Sequence, residues 1–161
     1  MEGPFKVLFV CMGNICRSPA GECIFRHIVE SEGHSDTIEI DSAGTIGFHT
    51  GNSPDSRMRS AGAKRGYRIE GAARQLAEDD FQKFDLIVTM DDANFENASA
   101  IAPQGESRAS LRKFCDFCEH HSDQEVPDPY YGGQSGFEHV LDLMEDGCRG
   151  ILKYTLEKSG M

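Results

Sequence analysis

The sequence contains no apolar stretch near the roughly 20 residues that a membrane-spanning helix needs. The apolar run Phe5–Cys11 is short, carries Lys6 and follows the acidic Glu2, the reverse of an export signal, which places positive charge ahead of its apolar core. Positive charge is scarce overall. Sixteen Lys and Arg stand against 27 Asp and Glu, a formal net charge of −11, and a phosphate backbone would be repelled by that balance, so nucleic acid is not an expected partner. The scarcity is uneven: no Lys or Arg lies between Lys113 and Arg149, whereas Arg57, Arg59, Lys64, Arg65, Arg68 and Arg74 crowd one stretch. Both runs read as solvated faces, the basic one with room to flank an anionic substrate.

A disulfide framework is also lacking. The six cysteines, Cys11, Cys16, Cys23, Cys115, Cys118 and Cys148, show no regular spacing of the small secreted kind, and are read as reduced thiols of a soluble, cytoplasmic protein. Cys115-x-x-Cys118 invites a zinc or redox reading, but no second Cys pair follows. His120 and His121 do not give finger spacing, so ordinary core and surface thiols are expected, with no metal. Repeats, low-complexity segments and linkers are absent, and 161 residues suit one hydrophobic core, so a single domain over 1–161 is expected.

What is present is an alternation of strand and helix signals. Phe5–Val10 reads as a strand covered on both faces, at the centre of a sheet. A helix is expected over about Pro19–Ser31, closed by Gly33, because Ala20, Cys23, Ile24, His27 and Ile28 recur at offsets of three and four. Thr37–Asp41, Asp85–Met90 and Arg108–Phe114 read as further strands. Ser53-Pro54 opens a helix that Gly66 ends, Ala77–Phe81 forms a short turn, and Asp91–Ile101 is helical. The last helix starts with the capping box Ser135-x-x-Glu138 and buries Phe137, Val140, Leu141, Met144, Cys148, Ile151 and Leu152. This order implies an α/β fold, a parallel sheet with helices on both faces, whose ligands bind at the carboxyl ends of the strands.

The loop Cys11-Met12-Gly13-Asn14-Ile15-Cys16-Arg17-Ser18 lies between the first strand and the first helix. Backbone N–H groups in such a loop, joined by those of the helix start, make an anion cradle. Gly13 and Asn14 tolerate the left-handed conformations it needs. The same field favours a thiolate at Cys11. Arg17 can return its planar fork to hold two equatorial oxygens of a phosphoryl group, and Ser18 can stabilise the thiolate as a leaving group. Spacing from Cys11 to Arg17 is weak by itself; its placement between strand and helix is what carries weight. A proton donor is supplied by Pro127-Asp128-Pro129-Tyr130-Tyr131-Gly132-Gly133, where two prolines hold the Asp128 carboxyl in an extended bracket and the tyrosines can line a cleft.

Together these residues resemble the low-molecular-weight protein tyrosine phosphatase family, through Cys11–Pro19, Asp41-Ser42-Ala43-Gly44, Ser53-Pro54-Asp55, Ala73-Arg74-Gln75, Phe84-Asp85, Met90-Asp91 and Asp128–Gly132. The resemblance covers nearly the whole chain. It implies a three-layer, four-stranded parallel sheet of the phosphotyrosine protein phosphatase I-like, Rossmann-like kind, no cofactor, and hydrolysis of phosphotyrosine and small aryl phosphates through a cysteinyl-phosphate. On this pattern Cys11 attacks, Arg17 clamps and Asp128 is acid and then base. Met12, Gly13, Asn14, Ile15, Cys16, Arg17 and Ser18 cradle inorganic phosphate or another oxyanion. Asn14 and Ser18 support the loop with Ser42. Phe48, Tyr130 and Tyr131 wall the cleft, with His49 on the variable rim. Cys16 is implied to pair with Cys11 under peroxide, as a reversible disulfide. One departure is Gly71, where family members commonly carry a His that helps hold the loop Asn. Phosphotyrosine-containing proteins are the expected partners of a monomer or weakly self-associating enzyme, acting also as a small acid phosphatase. Two rivals are an arsenate reductase, which needs mid-chain cysteines missing between Cys23 and Cys115, and a phosphoprotein-binding module, which predicts a missing nucleophile or acid.

Overall fold

A computed structural model describes residues 3–130 and 133–160. Its centre is β1 (Phe5–Cys11), which pairs in parallel with β2 (Ile38–Gly44) on one side and β3 (Leu86–Thr89) on the other. The edge strand β4 (Ser110–Lys113) follows β3, giving the order β2-β1-β3-β4. Strand side chains alternate between faces, and in β1 this divides the core. Phe5, Val7 and Phe9 pack with α1 (Arg17–Ser31), α2 (Ser56–Lys64) and α5 (Gln134–Ser159), whereas Leu8 and Val10 pack with Phe81 of α3 (Asp80–Lys83), Phe84 and Ala98 of α4 (Asp92–Ile101). Helices therefore cover both faces, as the alternation of elements implies. Among the described residues no helix is long and apolar enough to cross a membrane.

The departures from the expected elements have local causes. Helix α1 begins at Arg17 rather than near Pro19, because a proline is harmless throughout a first turn whose N–H groups have no helical partner. Strand β2 runs on to Gly44, since its ladder with β1 continues as far as the Cys11–Gly44 pair. Strand β4 is shorter than Arg108–Phe114, because Phe114 turns into a 3-10 helix over Phe114–Phe117 and is fully buried there. Helix α2 starts after Asp55, not at Ser53-Pro54; the Asp55 carboxylate accepts from the Arg57 N–H at 2.8 Å. The capping box is not formed: Gly133 precedes α5, Ser135 lies inside the helix, and no side chain caps it. Glu138 is instead claimed by Arg65 at 2.8 Å and Gln134 at 3.0 Å. The apolar stripe of α5 is buried throughout.

The basic stretch is largely exposed at Arg57, Arg59, Lys64 and Arg68, as a solvated face implies, but part of its charge is paired. Arg65 reaches Glu138, Asp142 and Glu145 on α5, Arg74 reaches Asp41 and Asp80, and Arg57 is paired with Asp55. Two of these six charges, on Arg65 and Arg74, join elements to one another, and Arg57 lies over the Tyr130 ring.

Candidate active site

The turn from β1 into α1 is shaped by its neighbours. Asn14 takes a left-handed backbone, φ 57°, a conformation that asparagine tolerates better than most residues. The end of β2 presses on this turn so closely that a Cβ on Gly44 would lie 2.7 Å from the Met12 carbonyl oxygen and 3.1 Å from the Asn14 nitrogen. Thr45 and Ile46 donate their N–H groups to the carbonyls of Cys11 and Met12, at 2.9 and 3.1 Å. Carbonyls are thereby turned outward. Among the described residues, no backbone N–H from Met12 to Ser18 is given to another protein group, which leaves a ring of donors at the start of α1.

Behind the turn lies a buried chain of hydrogen bonds. Cys11 Sγ is 3.0 Å from Ser18 Oγ, and the Asn14 amide donates both to Ser18 Oγ at 2.8 Å and to Ser42 Oγ at 3.0 Å. Because Ser18 accepts from Asn14, its own hydroxyl proton is shared between the Cys11 sulfur and the Ala43 carbonyl, the latter at a longer 3.4 Å. Ser42 passes its proton on to Glu22 Oε1 at 2.6 Å, and the Arg74 N–H caps the Asn14 carbonyl at 3.0 Å. Cys11, Asn14, Arg17 and Ser18 are all buried.

Arg17 is aimed by groups from the far side of the sheet. It donates to the Asp91 carboxylate at 2.6 Å and to the Val126 carbonyl at 3.0 Å, and its other nitrogen lies 3.7 Å from Asp128 Oδ2. Burial weighs against its charge, but the Cys11 sulfur, Asp91 and Asp128 outweigh burial and raise its pKa. Asp128 is one-third exposed, and accepts from the Tyr130 N–H at 3.0 Å. The segment leading to it is moored where Val126 donates to the Met90 carbonyl at 2.8 Å.

Cys11, Arg17 and Asp128 thus line one hollow of about 60 Å³, together with Met12, Ile15, His49 and Tyr130. Gly13 and Cys16 line it as well. Asn14, Ser18 and Ser42 stand behind the loop. Phe48 stands outside the lining, 82% exposed, its ring 4.9 Å from that of His49. Tyr131 lies outside the described residues. Cys16 is buried at the N-cap of α1, and burial, then the charges of Asp55, Cys11 and Asp128, push its thiol well up.

A family model for low molecular weight phosphotyrosine protein phosphatase matches residues 6–160. The chain belongs to that family. A Synechocystis protein named for it is 52% identical over 147 residues, 91% of this chain and 94% of that one. A low molecular weight protein-tyrosine-phosphatase of Streptomyces coelicolor is 40% identical, covering 96% of this chain and 95% of its own. The crystal structure of a protein tyrosine phosphatase from Entamoeba histolytica, with Hepes in its active site, superposes with a TM-score of 0.91 at 39% identity, over 98% and 99% of the two chains. Membership brings the family's cysteine-based hydrolase chemistry, and the fold is the four-stranded parallel sheet that the resemblance implies.

Gly71 sits at φ 124°, with nothing within 4 Å of a Cβ placed there. The turn from Cys11 to Ser18 is braced here without a side chain at Gly71: Ser18, Ser42 and the Arg74 N–H satisfy Asn14. Three residues that hold the site were given no role in it from sequence, although Asp91 and Arg74 lie in segments that carry the resemblance. Asp91 aims Arg17, Glu22 ends the chain that starts at Cys11, and Arg74 fastens Asn14 while its guanidinium is held by Asp41 and Asp80. Asp91 had a signal, as the cap of α4 just beyond the carboxyl end of β3, where open sheets bind ligands. Glu22 had none.

Proposed function

We propose that Cys11 is the nucleophile, Arg17 the phosphoryl clamp and Asp128 the general acid and base in hydrolysis of phosphotyrosine and small aryl phosphates. The observation that carries this reading is the shared hollow, with Cys11, Arg17 and Asp128 around one small volume. The Cys11 thiolate attacks phosphorus, the phosphoryl group passes to sulfur, and the departing oxygen takes the Asp128 proton. Asp128 then takes a proton from water, whose oxygen attacks the phosphocysteine; orthophosphate leaves and the thiolate returns, stabilised by the Ser18 hydroxyl. Arg17 and the N–H groups from Met12 to Ser18 hold the equatorial oxygens throughout. Hepes, which occupies the Entamoeba active site, carries a tetrahedral sulfonate of comparable shape.

Substrate aromatic rings lie against Tyr130 and His49, with Phe48 on the rim. The reading further places the enzyme in the cytoplasm as one domain, monomeric or weakly self-associating, active as a small acid phosphatase on phosphotyrosine-containing proteins. Inorganic phosphate binds in the loop. Cys16, kept as a thiol by burial, resolves an oxidised Cys11 as a reversible disulfide. Hydrolysis of an aryl phosphate in chelator by the parent, Cys11→Ser and Asp128→Ala tests the assignment, alongside an arsenate-reduction assay. Full activity in Cys11→Ser, or a strict metal requirement, would sink it.

A further inference from the structure

We propose that Cys115 and Cys118 form a second thiol couple, apart from the catalytic loop, which a small disulfide without negative charge closes to an intramolecular disulfide. Cys115 lies within the 3-10 turn Phe114–Phe117 and Cys118 follows it directly, its N–H donating to the Cys115 carbonyl at 3.2 Å. In such a turn residues i and i+3 eclipse one another, and a rise of about 2 Å per residue sets their Cα atoms about 6 Å apart. A disulfide spans about 4.4–6.8 Å between Cα atoms. The two thiols are near enough for each to shift the other's proton affinity.

The two thiols are not equivalent. Cys115 opens on a hollow of about 230 Å³ lined also by Asp116, His121, Ser122, Asp123 and Gln124, whereas Cys118 is turned inward, its thiol donating to the Leu143 carbonyl at 3.8 Å. The neighbouring Cys118 lowers the pKa of Cys115 against the opposing effect of burial, and the same proximity, with burial, raises that of Cys118. Cys115 therefore attacks and Cys118 resolves. Asp116, Asp123 and the charge of Glu125 surround Cys115, so an anionic oxidant is repelled. Among the described residues no group of three or more His, Cys, Asp or Glu is arranged to hold a metal ion; the chemistry of the couple is that of a dithiol. Cys23 and Cys148 are buried, give their thiols to the carbonyls of Glu70 and Gly21, and are held protonated first of all by burial.

The Cys115 thiolate attacks one sulfur of RS–SR, forming a mixed disulfide and releasing one thiolate. Cys118 then attacks the Cys115 sulfur, its proton goes to the first departing thiolate, and the second RS group leaves as a thiolate that takes from solvent the proton Cys115 lost on ionising, so two thiols are oxidised and one external disulfide is reduced to two thiols. The test uses the chain with Cys11→Ser and Cys16→Ser, which removes the loop thiols. It is reduced, treated with hydroxyethyl disulfide at neutral pH, quenched and mapped by peptide mass. A Cys115–Cys118 link is expected, with Cys23 and Cys148 still free to alkylate. Adding Cys118→Ser should trap a mixed disulfide on Cys115, and adding Cys115→Ser should slow modification of Cys118 at least about tenfold. Phenylarsine oxide, which bridges two thiols with loss of water, should bind one equivalent and lose its site in either single variant. The parent chain with phosphate in the cradle should give the same link, which keeps the test valid if the serine background folds poorly. A lasting mixed disulfide with both thiols present, or equally fast closure by glutathione disulfide, would overturn the proposal.

Discussion

Between Cys11 and Ser18 the polar side chains are buried and bonded to one another, while between Cys118 and Tyr130 the chain lies over the surface and is tied down at separate points. In the first region Asn14 alone makes three hydrogen bonds, and the chain of contacts runs from Cys11 through Ser18, Asn14 and Ser42 to Glu22. In the second, Asp146 of α5 collects the N–H groups of Glu119 and His120 and the His121 ring, and His139 holds Asp123. The difference follows from the tasks. A cradle must present fixed donors to an oxyanion with no reorganisation, whereas a proton donor has to admit a substrate and then a water beside it.

The largest effect should come from the rigid side. Cys11→Ser is expected to lower kcat by at least ~10⁴-fold, as removal of a nucleophile does, with the fold unchanged by circular dichroism. Asp128→Ala should cost roughly 10²–10⁴-fold in kcat, less for substrates whose leaving oxygen needs no proton. A leaving-group series measures that difference; equal losses for good and poor leaving groups would contradict the acid's role. Asp91 lies outside both regions but serves the first, since it aims Arg17 while capping α4 by accepting from the Asn94 N–H at 2.7 Å. Asp91→Asn keeps a good cap but loses the ion pair, so kcat/KM should fall by about 10²-fold from a misplaced clamp while the melting temperature moves little.

Smaller effects belong to the moorings of the acid segment. Burial alone would raise the pKa of Asp146, but His121 and the N–H groups of Glu119 and His120 outweigh it and hold the carboxyl below the usual carboxylate range. Its stabilisation is therefore present above the ordinary pKa of about 4 and lost as pH falls through the depressed folded value. Asp146→Ala should cost about 1 kcal/mol near neutrality by leaving part-buried donors without their partner, and urea titrations should show the gap to the parent closing in acid. His139→Gln removes a more exposed pair with Asp123, 41% and 31% exposed, and should cost under about 1 kcal/mol.

Legibility followed the same division. The Cys11 loop could be read because strand, turn and helix start are contiguous, and Asp128 because two prolines bracket it. Most partners that aim these groups arrive from distant segments: Asp91 lies 74 residues from Arg17, Arg74 lies 60 from Asn14, and Val126 lies 109 from Arg17. Each contact exists only because parallel strands bring their carboxyl ends to one edge. Glu22 sits one turn into α1 with the look of an ordinary surface acid, and Ser42 on β2 reaches it only once the sheet has formed. The capping box failed for a related reason. Ser135 and Glu138 have the right spacing, yet Arg65, 73 residues away, draws Glu138 from that role.

By itself, the amino-acid sequence determined the order of strands and helices, the buried stripe of α5, and the chemical identities of thiol, guanidinium and carboxyl, because these depend on periodicity and on residues close along the chain. Tertiary structure alone decided where Arg17 points, how Asn14 is braced beside Gly71, which charges of the basic stretch are already paired, and that Phe48 stands at the rim while His49 lines the hollow. Those outcomes depend on distances between segments joined only by the sheet, where a buried polar group takes whichever partner the packing brings within reach.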